Sequence, residues 1–446
     1  MPLAEAISAV RRVEPIRVTG SVRALKGLTL IVEQLPLTVG SLVTVHSSNS
    51  RKPGEIVGFE QGRAIVMMLG TTTGISPGDR VTGEQATPTV PISRSLLGRV
   101  VNGLGHPIDG SPTPRDARHV PVSPPPTNAL TRRRINKILP TGVRTIDLLT
   151  TVGRGQRMGI FAGPGVGKST LLGMIARRTA ADVNIIALIG ERGREVREFV
   201  EDALGPEGLA RSIVVVATSD ESPLMRVRAA SVACAAAEHF REQGLDAMLM
   251  IDSITRLAHA QRQIGLSVGE PPSTKGYTPS VFSLLPSLLE RAGALESKGS
   301  ITGFYTILVE GDDLTEPISD AARGILDGHV ILSRSLAHRA HFPAIDPLDS
   351  ISRVASHICD PEHLAARSTI IRLLAAYRDA EDLIQIGAYA PGQSPLTDTA
   401  VALKPRIDAL LQQRTGDAEL FLNSRARLLE LAREADKLLT RPPTRK

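Results

Sequence analysis

Residues 157–172 constrain this chain more than any other stretch, because they have the pattern of a phosphate-binding loop between a strand and a helix. A short apolar run, 158–161, leads into a loop with glycines at 163, 165 and 167, and Lys168 opens a helix-forming run. Glycines let consecutive backbone N–H groups curl around phosphate oxygens, and a helix start adds unpaired N–H groups and the positive end of its dipole. The stretch therefore predicts a P-loop that binds a nucleoside triphosphate.

The first residues of this helix have expected partners on the nucleotide. Lys168 would reach the β- and γ-phosphates, and the Ser169 hydroxyl would bind Mg²⁺. The pattern usually begins with glycine where this chain has Ala162, and a methyl is tolerated there if Ala162 belongs to the strand and has a negative φ. The predicted nucleotide-binding residues of the loop are Gly163, Pro164, Gly165, Val166, Gly167, Lys168, Ser169 and Thr170.

Composition excludes several classes of protein. The two cysteines, Cys234 and Cys359, belong to no CxxC pair or Cys/His cluster, which excludes a disulfide scaffold and a thiolate zinc site. The apolar runs are too short for a membrane span or a signal peptide, so a cytoplasmic protein is expected. The net charge of +6 would suit a nucleic acid, but residues 1–90 contain a single aromatic side chain, Phe59. Without stacking surfaces, no nucleic-acid partner is expected.

The spacing of apolar residues divides the chain into three parts. Leu3, Ile7 and Val10 fit either a short amphipathic helix or a frayed terminus. From Ile16 to about Gly83, short alternating runs punctuated by Gly and Pro predict a small closed β-barrel with a role in assembly. A proline-rich connector, an α/β segment and a helical segment follow. The predicted domains are an N-terminal β-barrel over 1–92, a nucleotide-binding domain over 93–350 and a C-terminal helical bundle over 351–446.

The central segment predicts a mostly parallel sheet covered by helices on both faces. Helical segments separate its four apolar runs, which are 158–161, 183–189, 248–251 and 302–309. Ligands of such sheets bind beyond the carboxyl ends of the strands. The P-loop, the stretch from Gly190 to Glu195, and Asp252 each follow one of these runs. We therefore expect three separate stretches to meet at one edge of the sheet.

Two carboxylates at this edge have predicted catalytic roles. Asp252 would hold Mg²⁺ in the manner of a Walker B aspartate, and it could also cap the helix that starts at Ser253. Glu191 is the first candidate for orienting and deprotonating the attacking water, since a carboxylate near the γ-phosphate suits that task. Glu195 is the competing candidate.

For each of two later residues, the sequence alone allows two interpretations. Phe342, next to a proline, could stack on adenine or pack in the core. Arg353 could be an arginine finger or form a surface salt bridge. Beyond about Val354 the chain predicts helices. The last of these helices has one apolar face, formed by Leu428, Leu431, Ala435 and Leu438.

Four blocks of sequence resemble the type III protein-export ATPases, flagellar or injectisome, within the rotary ATP synthase α/β superfamily. They are the P-loop region from Gly155, the stretch Gly-Glu-Arg-Gly-Arg-Glu-Val from Gly190, the stretch from Asp252 to Gly293, and the stretch from Phe342 to Arg353. Synthase β chains look more like Gly-Glu-Arg-Thr-Arg-Glu in the second block. The stretch Gly-Ile-Leu-Asp-Gly-His from Gly324 resembles the flagellar members.

The resemblance implies a RecA-like fold for the P-loop domain and a role for each matching residue. Lys168, Ser169 and Thr170 match the phosphate and Mg²⁺ contacts, and Asp252 matches Walker B. The remaining matches are the catalytic glutamate Glu191, its phosphate-side neighbour Arg192, the adenine-stacking Phe342 and the arginine Arg353, which serves the neighbouring subunit. A chain that carries both Glu191 and Arg353 is expected to work as a homohexamer.

The function implied by this resemblance is hydrolysis of Mg²⁺-bound ATP, coupled to protein export by a flagellar-type type III secretion apparatus. The expected partners are a stator or regulator, a central stalk and chaperone–substrate complexes. The expected place is the cytoplasmic face of the inner membrane, with peripheral membrane association allowed. The alternatives are an injectisome ATPase, an F-type ATP synthase catalytic subunit and a Rho-like RNA translocase, which the aromatic-poor N-terminal region disfavours.

Overall fold

The structure is a computed structural model and describes residues 18–48, 50–85, 88–296, 298–309, 313 and 315–440. The helix expected around Ile7 lies outside the described residues. The described chain forms a barrel, then a sheet with helices on both faces, then a group of helices. This order agrees with the prediction.

Six antiparallel strands form the N-terminal barrel, which closes in the order β1-β2-β5-β4-β3-β6. Leu30 and Val32 of β2 and Val43 and Val45 of β3 point into one core, because alternate residues of a strand face the same side. The predicted barrel is confirmed. Its strands are β1 (Thr19–Lys26), β2 (Thr29–Glu33), β3 (Leu42–Ser47), β4 (Ser50–Glu60), β5 (Arg63–Met68) and β6 (Arg80–Gln85).

A nine-stranded sheet forms the centre of the molecule, in the order β17-β16-β10-β15-β13-β11-β12-β8, with β14 paired to β15. All its pairs are parallel except β16 with β17 and β14 with β15. A separate pair, β7 (Thr89–Ile92) and β9 (Arg118–Pro121), is antiparallel. The strands of the large sheet are β8 (Arg99–Asn102), β10 (Arg157–Ala162), β11 (Val183–Ile189), β12 (Ser212–Ala217), β13 (Asp246–Asp252), β14 (Gly293–Ala294), β15 (Ser300–Leu308), β16 (Gly328–Leu332) and β17 (Ile345–Ser352).

Both faces of this sheet are buried, which explains why its central strands are continuously apolar. Ile185 and Ala187 of β11 pack into one core, and Ile186 and Leu188 of the same strand pack into the core on the other face. The four predicted apolar runs correspond to β10, β11, β13 and β15, the four strands at the middle of the sheet.

Thirteen α-helices are formed by the described residues. A π-helical stretch, Phe199–Leu204, joins the third to the fourth. The helices are α1 (Arg144–Leu149), α2 (Lys168–Arg178), α3 (Gly193–Glu198), α4 (Gly205–Ala210), α5 (Pro223–Glu242), α6 (Ile254–Ser267), α7 (Pro279–Leu289), α8 (Pro317–Ile325), α9 (Arg334–His338), α10 (Ala355–Ile358), α11 (Pro361–Gln385), α12 (Pro395–Leu411) and α13 (Phe421–Leu439).

The C-terminal helices α11, α12 and α13 pack around a core of their own, which also receives Leu148 and Leu149 of α1. The apolar face predicted for the last helix is confirmed, because Leu428, Leu431 and Ala435 are buried in this core. Across the described residues, none of the helices is long and apolar enough to span a bilayer.

Five strands of the large sheet are absent from the sequence-based prediction. β8, β12, β16 and β17 lie toward the two edges of the sheet, and the two-residue β14 pairs with β15. β8 falls in the turn-rich segment from Gly98 to Gly110, and β17 contains a proline and two aspartates. Their local composition does not indicate a strand, and pairing to the preformed sheet decides their conformation.

Candidate functional site: a P-loop cavity at the carboxyl edge of the sheet

The P-loop has the conformation that its glycines predict. β10 ends at Ala162, which lies in the strand and has no positive φ, so the methyl group in place of the first glycine causes no strain. Gly165 and Gly167 have φ values of 76° and 89°, in the left-handed region that other residues rarely adopt. Helix α2 then begins at Lys168. The backbone N–H groups at this helix start point into the loop, where an anion would bind.

A cavity of about 540 Å³ opens above the carboxyl ends of the central strands. As predicted from their positions after three separate strands, the P-loop, Glu191 and Asp252 all line this cavity. Its walls include Gly163, Pro164, Gly165, Gly167, Lys168, Ser169, Thr170, Glu191, Glu195, Asp252 and Arg256. Of the predicted loop residues, only Val166 turns away from this cavity and lines the neighbouring one described below.

The Lys168 ammonium group lies between two carboxylates. Its Nζ is 2.5 Å from Asp252 Oδ1 and 3.5 Å from Glu191 Oε1. The Thr306 hydroxyl also donates to Asp252 Oδ1, over 2.6 Å, so the aspartate is held from two sides. An incoming triphosphate would bring negative charge to the same lysine, and it would compete with both carboxylates for it.

Glu191 is a buried carboxyl whose pKa is raised to about 7, first because burial disfavours its charged form. The nearby Asp252 charge raises this pKa further, whereas Lys168 and Arg256 lower it. Arg256 Nη2 lies 3.1 Å from Glu191 Oε2. A carboxylate with a pKa near neutrality can both accept and return a proton at the operating pH of most enzymes.

Glu195, the competing candidate for the base, also lines the cavity but has a different environment. Its Oε2 accepts from the Arg192 backbone N–H over 3.2 Å, as part of a capping box at the start of α3. A hydrogen bond from Glu191 is the main reason why the pKa of Glu195 is lowered. Glu195 therefore stabilises a helix start, while Glu191 lies deeper in the cavity.

The structure places Arg192 and Arg256 differently from the sequence-based expectation. The Arg192 side chain is 74% exposed, pairs with Glu195 over 3.3 Å, and does not contribute to the cavity wall. Arg256, which the sequence analysis does not single out, lines the cavity and contacts Glu191. The only signal for it is its position in the first turn of α6, four residues after Asp252. The predicted phosphate-side role of Arg192 stays a prediction.

A second cavity, of about 960 Å³, adjoins the first where Gly167 and Thr170 line both. Phe342 forms one wall, with its ring about half exposed and 3.8 Å from where a side chain at Gly167 would start. Residues 412–415 and 417, from a turn of the C-terminal part, also line this cavity, and the sequence analysis does not predict that they contribute to the site. A planar base could stack on Phe342 here while its phosphates reach the P-loop.

Arg353 lies at the other edge of the sheet. β17 runs antiparallel to β16, so Ile345 pairs with Leu332 at the carboxyl edge and Ser352 pairs with Gly328 at the amino edge. Arg353 follows Ser352, is exposed, and donates to a main-chain carbonyl oxygen over 3.3 Å. The five residues of β16 separate it from the triphosphate cavity of its own chain by about 16 Å at 3.3 Å per residue.

Three sequence families match consecutive parts of the chain. The β-barrel domain of the ATP synthase alpha/beta family matches residues 26–83, and the nucleotide-binding domain of that family matches residues 142–352. The C-terminal domain of the type III secretion ATPase EscN matches residues 359–430. These matches cover the barrel, the large sheet and the C-terminal helices in turn.

Relatives along the whole chain decide the family. A flagellum-specific ATP synthase of Bacillus subtilis is 47% identical over 95% of this chain and 98% of its own. A type 3 secretion system ATPase of Xanthomonas euvesicatoria is 48% identical over 91% of this chain and 92% of its own. The chain belongs to the type III protein-export ATPases. The resemblance stated from the sequence is thereby confirmed, as is the enzyme class.

A solved structure agrees with the fold of this export ATPase. The assembled ATPase EscN of enteropathogenic E. coli, in complex with its central stalk EscO, superimposes with a TM-score of 0.86 at 38% identity, over 93% of this chain and all of EscN. Barrel, nucleotide-binding domain and C-terminal helices therefore have the family arrangement in this export ATPase. The roles of individual site residues stay predictions.

Proposed function

We propose that this export ATPase hydrolyses Mg²⁺-bound ATP as a homohexameric ring and couples hydrolysis to protein export by a flagellar-type type III secretion apparatus. The observation that carries the proposal is the division of the catalytic groups between two edges of one sheet. Lys168, Glu191 and Asp252 meet at the carboxyl edge, and Arg353 lies at the amino edge. Such a chain has a nearly complete catalytic site at the carboxyl edge of the sheet. The arginine that would complete the site of a neighbouring chain lies at the amino edge.

The residues of the triphosphate cavity fit Mg²⁺ and ATP. The Ser169 hydroxyl and the Asp252 carboxylate line the same cavity, and Mg²⁺ prefers oxygen ligands of this kind together with substrate phosphates. When bound, the ion would neutralise the charge of the β- and γ-phosphates. Lys168 would leave Asp252 and Glu191 to bind the phosphates, and adenine would stack on Phe342.

Glu191 is the proposed base for the attacking water. Once Lys168 turns to the phosphates, Glu191 keeps its contact with Arg256 and can accept a hydrogen bond from a water near the γ-phosphate. A positioned general base contributes typically about 10²–10⁴ in rate. We expect Glu191→Gln to lose turnover by about this factor and to keep nucleotide binding.

Arg353 is the proposed arginine finger of the neighbouring subunit. Because it lies far from the triphosphate of its own chain, it can stabilise only the transition state of another copy. Such a finger contributes about 10³–10⁵ in rate, or roughly 4–7 kcal/mol of barrier. Head-to-tail contacts between identical subunits form a ring when the rotation between neighbours closes, and EscN is described as assembled and in complex with its central stalk EscO.

Mixing two inactive variants tests this proposal. Lys168→Ala chains lack the phosphate lysine, and Arg353→Ala chains lack the finger, so each should be nearly inactive alone. In an equal mixture, about a quarter of the sites would pair an intact Lys168 with an intact Arg353 from the next subunit, and ATP turnover should recover accordingly. Wild-type chain mixed with each variant is the control for subunit exchange. No recovery at any ratio, with exchange demonstrated, would contradict a finger supplied between subunits.

The flagellar assignment is supported by the stretch from Gly324 to His329 and by the nearly full-length match to the Bacillus enzyme. The sequence identity to the Xanthomonas type 3 secretion system ATPase, 48%, is about as high, so an injectisome ATPase is the second candidate. Deleting the gene and measuring which proteins disappear from the culture medium separates the two. Loss of hook and filament subunits supports the flagellar assignment, and loss of needle subunits or effectors with normal flagella supports the injectisome.

The proposed partners and place in the cell follow from this assignment. A central stalk would bind the ring, and EscN is found in complex with its central stalk EscO. A stator or regulator and chaperone–substrate complexes would bind outside the ring. The enzyme would work in the cytoplasm, at the inner membrane. ATP hydrolysis by the purified chain, without other subunits and without stimulation by RNA, would distinguish it from a synthase subunit and from an RNA translocase.

A further inference from the structure

One glutamine side chain joins the segment before α1 to the turn 412–417, beside the cavity that Phe342 lines. Gln413 is nearly buried, and its Oε1 accepts from the Arg144 backbone N–H over 2.9 Å. Its Nε2 donates to Gly142 O over 2.8 Å and to Asp417 O over 3.2 Å. The carboxamide thus uses its acceptor and both donors on main-chain groups. Two of these groups precede Gln413 by about 270 residues in the sequence.

The backbone of the same residue holds the aromatic wall. The Gln413 N–H donates to Phe342 O over 2.9 Å, and the Phe342 ring lies beside Gly167 of the P-loop. Gln413 is therefore bonded to the aromatic loop and, through Gly142 and Arg144, to the segment before α1. Gln413 thus links the turn 412–417 to the Phe342 loop, beside a second link in which Gln412 Nε2 lies 3.4 Å from His341 Nδ1.

The groups that Gln413 contacts are themselves fixed. The fully buried Asp147 carboxylate accepts from Thr141 N and Thr141 Oγ1, each over 2.8 Å, and from Gly142 N over 3.0 Å. On the other side of the turn, Thr415 O accepts from Arg178 Nη2, at the end of α2, over 3.1 Å. The turn 412–417 is thus attached to the nucleotide-binding part at both of its ends.

We propose that Gln413 is a positioning residue that sets the width of the base cavity and thereby the enzyme's affinity for, and selectivity among, nucleobases. Without its carboxamide, Gly142 O and the Arg144 N–H would lose buried partners, and such losses are costly enough to displace the turn. The base would then stack less well between Phe342 and the turn. The triphosphate groups would be unaffected, because Lys168 and Glu191 do not contact these residues. The inference rests on the proposed function in placing the base of bound ATP in this cavity.

The test compares binding of the nucleobase with binding of the phosphates. For Gln413→Ala, kcat and KM are measured with ATP and GTP, and inhibition is measured with Mg²⁺–tripolyphosphate, which has no base. We expect KM for ATP to rise about tenfold with kcat within about twofold, the inhibition constant of tripolyphosphate to stay unchanged, and discrimination between ATP and GTP to decrease. Gln413→Glu keeps the size and the acceptor and loses both donors. If the alanine variant folds poorly, Gln413→Glu replaces it in the test. It should likewise raise KM for ATP and leave the inhibition constant of tripolyphosphate unchanged.

Gln156 provides a matched control. It is fully buried, accepts from Gly153 N over 2.9 Å, and donates to Asp327 O and Ser352 Oγ, each over 3.1 Å, at the amino edge of the sheet. Gln156→Ala should cost similar thermal stability, yet leave the ratio of the ATP KM to the tripolyphosphate inhibition constant unchanged. Gln156 contacts Ser352, which precedes Arg353. If Gln156→Ala displaces Arg353, the change should appear in kcat.

Two results would overturn the role of Gln413. One is a parallel rise of KM for ATP and of the inhibition constant for tripolyphosphate in the Gln413 variants. The other is an equal change of their ratio in Gln156→Ala. Failure of the proposed function would look different, since the wild-type chain itself would then not hydrolyse ATP.

Discussion

Glu191 is buried among charged groups, and burial outweighs its favourable neighbours. Lys168 and Arg256 stabilise its ionised form, yet the pKa is still raised from the ordinary value of 4.5 to about 7. The reason is that desolvation acts on the whole charge of Glu191, while Lys168 is shared with Asp252. The site therefore contains Asp252, which pairs with Lys168 over 2.5 Å, and a second carboxyl, Glu191, which can exchange a proton near neutral pH.

The first prediction concerns the pH dependence of turnover. If ionised Glu191 is the base, kcat/KM for ATP should fall about tenfold per pH unit below pH 7 and level off above it. Steady-state rates at saturating Mg²⁺ between pH 5.5 and 8.5 measure this. Nucleotide binding followed directly over the same range is the control, because binding alone should vary less. A kcat/KM that is constant from pH 6 to 8 would rule out Glu191 as the group that titrates.

The second prediction concerns stability. Because the folded-state pKa of Glu191 is raised from 4.5 to about 7, its contribution to stability is fully present below pH 4.5 and is lost as the pH rises through 7. Glu191→Gln stays neutral, so it should be more stable than wild type at pH 8.5. The expected gain is about 1 kcal/mol, allowing for partial solvent screening. Urea unfolding at pH 6 and 8.5 measures it. An equal or larger gain at pH 6 would contradict the sign.

The sequence is informative about single residues wherever local order determines their position. Glu191 follows the end of β11 and Asp252 ends β13, so their convergence follows from the strand pattern. Arg256 and Gln413 make their contacts through chain folding over tens to hundreds of residues, and periodicity contains no information about such pairs. The local sequence pattern does not predict which charged side chains are buried. Arg192, for example, adjoins the buried Glu191 in sequence, yet its side chain extends into solvent.

At the scale of elements, β17 is an edge strand with serines on its inner face and an isoleucine among the charged residues of its outer face. Ser350 and Ser352 face inward and donate to main-chain carbonyl oxygens over 2.6 and 2.7 Å. Asp349, Ile351 and Arg353 face outward, and the isoleucine is 45% exposed. Exposed edge strands usually have charged residues on the outside. From the exposed isoleucine two positions before Arg353, we propose that this face contacts another subunit in the ring.

The third prediction tests this face. Ile351→Ser should weaken association and raise the protein concentration needed for half-maximal specific activity, by about 5- to 30-fold for an apolar residue at the centre of an interface. Nucleotide binding to the single chain should not change. Ile386→Ser, at an isoleucine that is 75% exposed just after α11, is the matched control and should behave as wild type. The same concentration dependence for both variants would contradict the proposed interface.

Elements were predictable to the extent that each one buries its own apolar residues. β10, β11, β13 and β15 lie in the middle of the sheet and are buried on both faces, so their apolar runs identify them. β17 is held by hydrogen bonds to β16 and by its serines, and its own residues resemble a loop. The barrel strands and the last helix have clear periods of two and about four residues, and these periods predict them correctly.

At the scale of the whole molecule, the two edges of the large sheet have complementary roles. The carboxyl edge offers a cavity whose lysine is already paired with two carboxylates, and the amino edge presents an unburied arginine. The two features cannot meet within one chain, because β16 separates them. In the proposed ring, a second copy placed head to tail would bring them together, and repetition of this contact would give identical sites.

The last prediction follows from that geometry. Specific ATPase activity should depend on protein concentration, and dilution to single chains should lower kcat by about 10³ or more, since each site then lacks its arginine. Turnover and molecular mass, measured on the same dilution series, test this. In Arg353→Ala, activity should be low at every concentration and assembly should persist, because the exposed guanidinium contributes less to association than to the transition state. Full turnover by a chain that stays monomeric at all concentrations and nucleotide levels would show that no neighbour completes the site.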